Sequence, residues 1–386
     1  MKKSLYGLLL RLLALPTAPF REQQVIDHVT GVFDRAGVPY FQDPYGNLVV
    51  GVASARAYRQ LLQKPAVEPL RLFIAHMDHP GFHGIAWRAA GRLAVQWHGG
   101  SPVRRLNGSR VWLAGADGWT GHGQLIKTKL LPSKHALDCA EVVLTTKGPC
   151  PLANTVYGGF SFRAPVWRQG QRLYTKAADD LVGVFAIVAT ALDLFGKRRS
   201  RRSPPFLGLL TRAEEVGFVG AIGHFSLGWL ETARRPVVAV SLETSRTLPK
   251  ALIGHGPVVR LGDRRTVFSA DYLEVLSEVA RRALPGAHQQ RVMDGGSCEA
   301  TAATAFGLPA IGLSVPLGNY HNEGFEGGPD CRAPRGPAPE FVHLGDVDGL
   351  LTLCRALLRP GLAWSDPWRK LRRAFGRRLG HYRRKL

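Results

Sequence analysis

Four short apolar runs, each bounded by Gly, Pro or charged residues, dominate the hydrophobic pattern of the chain. Continuous apolar character over five to seven residues is typical of strands that are covered on both faces of a sheet. The runs are RLFIA (71–75), FLGLL (206–210), VVAVSL (237–242) and PAIGLSV (309–315). Segments with helical patterning, such as LVGVFAIVATALDLF from Leu181, lie between them. We therefore predict an α/β fold whose mixed, mostly parallel sheet is flanked by helices.

The pattern changes between Phe82 and about Pro165. Short alternating strands such as RLAVQW and SRVWLA are separated there by turns rich in Gly and Asn. This arrangement is typical of a small antiparallel barrel or sandwich, so we predict an inserted β-barrel domain. The predicted division is the first part of the α/β domain at 1–82, the insert at 83–165, the second part of the α/β domain at 166–360 and a basic tail at 361–386.

The amino terminus resembles a signal peptide, since Lys2 and Lys3 precede an apolar stretch, but Arg11 interrupts that stretch. A helix with one apolar side explains the pattern equally well; that side is formed by Leu5, Leu8, Leu9, Leu12 and Leu13. There is no run of about 18 uncharged apolar residues to span a membrane. Five scattered cysteines without CxxC spacing suggest neither a disulfide framework nor a thiolate zinc site. We expect a cytoplasmic protein.

Basic residues outnumber acidic ones by 51 to 29, which gives a net charge of +22 and favours anionic partners. The loop GKRRSRRSPP at 196–205 is predicted to be a solvated connection. In the tail, apolar residues recur every three or four positions among Arg and Lys, which indicates a basic amphipathic helix: Trp368, Leu371, Phe375, Leu379, Tyr382 and Leu386. It could dock on its own protein, on an anionic membrane surface or on RNA.

Imidazole and carboxylate groups follow the four apolar runs, and one further acid precedes a predicted helix. In open α/β sheets the ligand site lies outside the carboxyl ends of the strands, so side chains placed there converge. The candidates in chain order are His76, Asp78, Asp179, Glu214, Glu215, Glu243 and His321. Oxygen and nitrogen donors without thiolate suit Zn, Co or Mn in an open catalytic site.

Two of these segments suggest individual roles. The carboxylate of Asp78 can accept the second N–H of the His76 imidazole and so orient a metal ligand. Glu214 and Glu215 are adjacent at the end of a strand, where successive side chains point to opposite sides. One of the two could therefore bind a metal ion while the other faces a water molecule as general base.

The motifs, taken in order, resemble those of the co-catalytic metallo-aminopeptidases, a family that includes the glutamyl and the tetrahedral aminopeptidases. The resemblance covers about 5–358 and excludes the tail. It is carried by DPYGNLVVG, AHMDHPGF, GRLAVQWHGG, LNGSRVWLAGADG, KAADDLVG, LLTRAEEVGFVGA, GHGPVV, GGSCEA and GLPAIGLSVPLGNYHN. It implies a zinc-peptidase-like fold and the removal of amino-terminal residues from peptides.

The resemblance also implies the roles of individual residues. Asp179 would bridge two divalent metal ions, zinc in the first place, with cobalt or manganese as alternatives. His76 and Glu243 would complete one site, while Glu215 and His321 would complete the other. Glu214 would be the general base, and Asp78 would be the second catalytic residue. Relatives assemble through the inserted β domain, so a homo-oligomer is expected.

The chain departs from the family pattern at several positions. His79 stands where an acid is usual, Leu181 where a basic residue is usual, and GGSCEA replaces GGTDA. These changes leave two alternatives open: a catalytically altered or inactive member that acts as a binding or scaffold protein through its basic tail, and an amide hydrolase or deacylase of the same clan. Glu299 is a candidate acceptor for the amine of a substrate.

Overall fold

The computed structural model describes residues 1–115, 118–146, 148–196 and 204–386. The helices in this part of the chain are α1 Lys3–Ala14, α2 Gln23–Ala36, α3 Ala55–Gln63, α4 Leu181–Phe195, α5 Val219–Ser226, α6 Ala270–Ala283, α7 Glu299–Ala305, α8 Leu344–Ala356 and α9 Arg369–Tyr382. Most of the predicted basic loop, 197–203, lies outside the described residues.

Seventeen strands form one large sheet, one small sheet and one barrel within the described residues. Their bounds are β1 Tyr40–Gln42, β2 Leu48–Val50, β3 Leu70–His76, β4 Gly81–Ala89, β5 Arg92–His98, β6 Arg110–Ala114, β7 Thr120–Leu130, β8 Leu137–Leu144, β9 Tyr157–Phe160, β10 Val166–Gln169, β11 Arg172–Thr175, β12 Phe206–Thr211, β13 Val237–Arg246, β14 Val258–Asp263, β15 Gln289–Met293, β16 Ala310–Leu317 and β17 Glu340–His343.

The large sheet has the order β1-β2-β12-β3-β13-β16-β14-β15. Its four central strands, β12, β3, β13 and β16, are mutually parallel and correspond to the four apolar runs. The edges contain antiparallel pairs, β1 with β2, β2 with β12 and β14 with β16. The predicted fold class, a mixed and mostly parallel sheet with flanking helices and a small β-barrel, is confirmed.

Helices cover both faces of the sheet, which explains why the central strands are apolar throughout. On β3, Phe73 and Ala75 face a core that includes α1, α2, α4, α6 and α8. Leu72 and Ile74 face the opposite core, which includes α3, α5 and α7. Burying both faces in this way removes each central strand from water and makes it a rigid support for the residues at its end.

The N-terminal apolar stretch forms α1, which buries Leu8, Leu9, Leu12 and Leu13 against the sheet-covering core while Arg11 is exposed. This arrangement agrees with the amphipathic-helix interpretation. None of the described helices is both long and apolar enough to cross a membrane.

The strands β4, β5, β8, β7, β6 and β9 close into an antiparallel barrel between residues 81 and 160. Its interior is filled by aromatic and aliphatic side chains that include Phe82, Trp97 and Phe160. The chain enters the barrel five residues after the end of β3, so the barrel lies beside the carboxyl ends of the central strands. The four-part division of the chain stays a prediction.

Candidate metal centre

The carboxyl ends of the central strands and the loops after them bring the five predicted metal-binding residues together. His76 is the last residue of β3, Glu215 follows β12, and Glu243 lies in β13. Asp179 immediately precedes the N-cap of α4, and His321 lies in the turn after β16. Ligand atoms of His76, Asp179 and Glu243 lie within 4.8 Å of one another, and so do those of Asp179, Glu215 and His321.

Asp179 is common to these two groups, and its two oxygens face different imidazoles. Its Oδ1 lies 3.5 Å from Nε2 of His76, and its Oδ2 lies 3.6 Å from Nε2 of His321. Nε2 of His321 also lies 3.1 Å from Oε2 of Glu215. The geometry is therefore that of two adjacent clusters sharing one carboxylate.

Several atoms of these clusters are buried without any hydrogen-bond partner among the described residues. They include Asp179 Oδ1, Glu215 Oε1, Glu243 Oε1 and His321 Nε2. An isolated buried carboxylate oxygen is costly unless it is paired or coordinates a metal. Carboxylate oxygens and imidazole nitrogens are also the donor types that zinc and related divalent ions accept. The residues present therefore fit a divalent metal centre.

Asp78 contacts the centre differently from the sequence-based expectation. The Nδ1–H of His76 donates to the backbone carbonyl of Asp78 at 3.1 Å, while the Asp78 carboxylate is farther away at 3.6 Å. That carboxylate instead accepts the backbone N–H groups of Glu214 and Glu215, at 2.9 and 3.1 Å. The expected orientation of the imidazole is thus provided by the main chain of Asp78, and its side chain positions the two glutamates.

Glu340, like Asp78, accepts backbone N–H groups of segments that carry predicted ligands. It was not identified from the sequence. Its Oε2 accepts the N–H groups of Ala178 and Asp179, at 2.7 and 3.2 Å, and its Oε1 accepts the N–H of His321 at 2.9 Å. Burial raises the pKa of this carboxyl to about 7. The one signal available was an acid directly before the apolar pair Phe341 and Val342.

His79 also supports Asp179. Its Nδ1–H donates to the backbone carbonyl of Asp179 at 2.7 Å. The peptide bond between Asp179 and Asp180 is cis. The segment that carries the shared carboxylate is therefore held at its N–H by Glu340 and at its carbonyl by His79.

The barrel forms one side of the centre through the loop after β5. A Cβ atom added to Gly100 would collide with the imidazole ring of His321. One added to Gly99 would lie 3.3 Å from Cβ of Glu215. Two glycines are needed here because the barrel backbone approaches two of the predicted ligands, and the sequence motif HGG gave no indication of this contact.

Glu214 lies beside the two clusters, in a further group with His76 and Glu215, and is slightly exposed. The exposed fraction of its side chain is 11%, and its Oε2 lies 3.9 Å from Nε2 of His76. Burial is the largest influence on its carboxyl and raises the pKa well above the usual range for glutamate.

A pocket adjoins Glu243 and is lined by Arg260, Arg246, Met293, Gly295 and Tyr320, among other residues. Arg260 is buried, with Nη1 4.0 Å from Oε1 of Glu243, and its Nε and Nη1 have no hydrogen-bond partner in the described structure. Cys298 and Glu299 do not line this pocket and are fully buried. Oε1 of Glu299 accepts from the hydroxyl of Thr211, and its Oε2 has no hydrogen-bond partner in the described structure, so its role as acceptor of a substrate amine stays a prediction.

Comparison with known proteins agrees with this architecture. The family model of the M42 glutamyl aminopeptidases matches residues 157–324. Among curated proteins, none matches the chain significantly.

Solved structures share the fold over nearly the whole chain. A TET1 peptidase of Pyrococcus horikoshii, described as able to assemble into a tetrahedron or a large octahedral shell, is 20% identical over 92% of this chain and 99% of its own, with a TM-score of 0.68. An aminopeptidase of Desulfurococcus kamchatkensis is 21% identical over 94% and 96%, with a TM-score of 0.69. A TET aminopeptidase of a marine sediment thaumarchaeote is 19% identical over 94% and 99%, with a TM-score of 0.71.

The chain accordingly has the fold of the tetrahedral aminopeptidases. The match to the M42 family model and this shared fold together support a peptide hydrolase. The family match confirms the resemblance to the M42 glutamyl aminopeptidases that was inferred from the sequence motifs.

Proposed function

We propose that this protein is a metal-dependent aminopeptidase with two adjacent divalent cations. His76, Asp179 and Glu243 would hold one cation, and Asp179, Glu215 and His321 would hold the other. The observation that carries this proposal is the Asp179 carboxylate, whose two oxygens face the two histidines. Cations bound there would lower the pKa of a water molecule and polarise the carbonyl of the bond to be cleaved.

Glu214 is the residue we assign as general base. Its carboxylate would accept a proton from the attacking water and deliver it to the amine that leaves. The hydrogen bond from its backbone N–H to Asp78 at 2.9 Å holds the segment in place, so the side chain approaches the clusters from a fixed point. Asp78 therefore acts as a positioning residue in this proposal.

An inactive scaffold protein is the less favoured alternative, because an imidazole or carboxylate is present at every predicted ligand position and these groups converge. An amide hydrolase or deacylase of the same clan differs from an aminopeptidase in accepting a blocked amino terminus. A substrate series with free and acetylated amino termini therefore distinguishes an aminopeptidase from an amide hydrolase or deacylase.

The test combines metal analysis with turnover. Purified protein is treated with EDTA, then supplied separately with Zn²⁺, Co²⁺ or Mn²⁺, and assayed on aminoacyl-p-nitroanilides with free and acetylated amino termini. We expect activity to disappear with EDTA, to return with at least one ion, and to require the free amine. An absence of bound metal together with an absence of turnover on all substrates would contradict the proposal.

The pocket beside Glu243 supports a preference for an acidic residue at the substrate amino terminus, in keeping with the glutamyl aminopeptidase name of the matching family. A buried guanidinium with unpaired donors is costly, and a carboxylate can pair with it in a bidentate manner. Arg260 meets this description and adjoins a predicted metal ligand.

This preference is tested by Arg260→Met, with Arg260→Lys as the control that retains a positive charge. The measured quantity is the ratio of kcat/KM for glutamyl and leucyl substrates, accompanied by metal content. We expect the ratio to fall by about 30-fold or more in Arg260→Met and less in Arg260→Lys, because the methionine leaves the substrate carboxylate unpaired. An unchanged ratio would remove the specificity assignment without affecting the peptidase proposal.

We further propose that the protein forms a homo-oligomer through the barrel and acts on peptides in the cytoplasm. The assembly described for the Pyrococcus horikoshii relative supports the oligomer. Light scattering on the purified protein tests it, and a mass equal to one 42.2 kDa chain would contradict it.

A further inference from the structure

The C-terminal segment after Pro367 forms α9, a helix without buried residues. The chain is anchored just before it, where Trp364 is buried and lies under the Arg71 guanidinium. The first turn makes two further contacts: Trp368 Nε1 donates to Asp271, and Lys370 pairs with Glu278. Beyond that turn α9 has no buried residue. The sequence left three alternatives for this helix, one of which was docking on its own subunit. In the structure such docking is limited to the first turn of α9.

The exposed helix has a continuous apolar side. At about 100° per residue, its apolar side chains fall within a sector of about 80°. They are Leu371, Phe375, Leu379 and Tyr382. Phe375 and Leu379 are 54% and 56% exposed. A stripe of this kind on an unburied helix is unusual for a surface that contacts only water.

The remaining sides of the segment are strongly basic. Residues 368–386 contain nine Lys and Arg and no Asp or Glu. In the described structure, the ion pairs of the segment are those of Lys370 with Glu278 and of Arg372 with Asp366. The other seven basic side chains pair with no described acid. Arg372 and Arg378 border the apolar stripe, where a long side chain can extend its charge toward a polar boundary.

We infer that α9 binds an anionic lipid bilayer, lying in the plane of the interface with its apolar stripe among the acyl chains and its Arg and Lys at the headgroups. This surface combines both requirements of such a helix, apolar area and positive charge. RNA would pair with the charges but does not require an aliphatic stripe. The α9 helix of a second copy is a poor partner, since residues 368–386 of both copies contain nine Lys and Arg and no Asp or Glu. The inference is independent of the peptidase activity.

The experiment is co-sedimentation of the full chain with vesicles of phosphatidylcholine alone or mixed with phosphatidylglycerol. One double variant, Phe375→Ser with Leu379→Ser, removes apolar area and keeps the charge. A second, Arg373→Gln with Arg377→Gln, removes charge and keeps the stripe. We expect the wild type to prefer the phosphatidylglycerol vesicles by about tenfold or more, and each double variant to lose about tenfold or more of that affinity. Peptidase activity should not change in either variant.

Three outcomes would overturn the inference. The first is equal binding of the wild type and the Phe375→Ser, Leu379→Ser variant to phosphatidylglycerol vesicles, or no binding by the wild type. The second is tighter binding of the wild type to single-stranded RNA than to vesicles, with the serine variant retaining RNA affinity, which would assign the helix to RNA. The third is a change in subunit number in the serine variant, measured by light scattering, which would assign the stripe to an intersubunit contact. Truncation after Pro367 should remove vesicle binding while leaving activity.

Discussion

Asp78 Oδ1 lies 2.9 Å from the backbone nitrogen of Glu214, so the carboxylate two residues after one predicted ligand, His76, fixes the main chain of the predicted base. Its other oxygen accepts the N–H of Glu215 at 3.1 Å. A single side chain after β3 thereby sets the position of the turn after β12. These two hydrogen bonds connect the segment after β3 to the turn after β12.

Replacing Asp78 with Asn should loosen this turn. The carboxamide has one oxygen, and its NH₂ group would face one of the two N–H donors. We expect kcat to fall by about 10- to 100-fold with little change in KM, as for other residues that orient metal ligands. The control is Asp27→Asn, the same change at an exposed acid on α2. Steady-state kinetics with metal analysis test the prediction, and a kcat equal to that of the control would contradict it.

Replacing Glu214 with Gln removes the proposed proton acceptor and preserves the shape of the side chain. We expect kcat to fall by about 10²- to 10⁴-fold. Bound metal should remain, because Glu214 is not among the five proposed ligands. Glu231→Gln, at an exposed position, is the matched control. Full activity of Glu214→Gln would show that another group takes the proton.

A methyl group at Gly100 should displace the imidazole of His321, because the added Cβ would occupy the space of the ring. We expect Gly100→Ala to lose metal from the cluster that contains His321 and to lose at least about tenfold in activity. Gly380→Ala is the control, since a Cβ there has no neighbour within 4 Å. Metal analysis and kinetics on both variants test this prediction. Equal metal content and activity in the two variants would contradict the predicted collision.

Lys176 predicts a pH dependence of stability that is separate from the metal centre. Its ammonium is buried, donates to the carbonyl of Leu15 at 2.6 Å and lies 4.1 Å from the centre of the Trp112 ring. Burial lowers its pKa from 10.5 to about 7. Between these values the unfolded chain binds more protons than the folded one, so stability should rise with pH by up to about 1.4 kcal/mol per pH unit.

The variant Lys176→Met removes this titration. Denaturant unfolding of both proteins at a series of pH values gives the difference in the free energy of unfolding. We expect the free energy of unfolding of the wild type to be lower than that of the variant near pH 7. It should rise relative to that of the variant as the pH approaches about 10. A difference that does not depend on pH would show that the folded-state pKa of Lys176 is not lowered.

The sequence predicted the sheet and the convergence of the site for a physical reason. Strands that are buried on both faces have to be apolar, so the polar residues that end them are conspicuous; His76 and Glu215 are examples. The carboxyl ends of parallel strands also share one edge of a sheet, which brings such residues together.

The supporting contacts could not be predicted in the same way. Asp78 and Glu340 bind main-chain N–H groups that are distant in sequence, and such partners depend on how loops pack rather than on residue type. The position of Asp78 two residues after His76 suggested an imidazole N–H as the partner of its carboxylate, but it did not distinguish that group from the backbone of the next loop. The contact of Gly100 with His321 likewise exists because a separate barrel is docked beside the sheet.

That docked barrel links two properties of the molecule that would otherwise be independent. If subunits join through it, as proposed, any force that shifts the barrel also moves the loop at Gly99 and Gly100 against Glu215 and His321. Catalytic competence would then depend on quaternary state: an isolated subunit could keep every ligand and still hold one of them out of register.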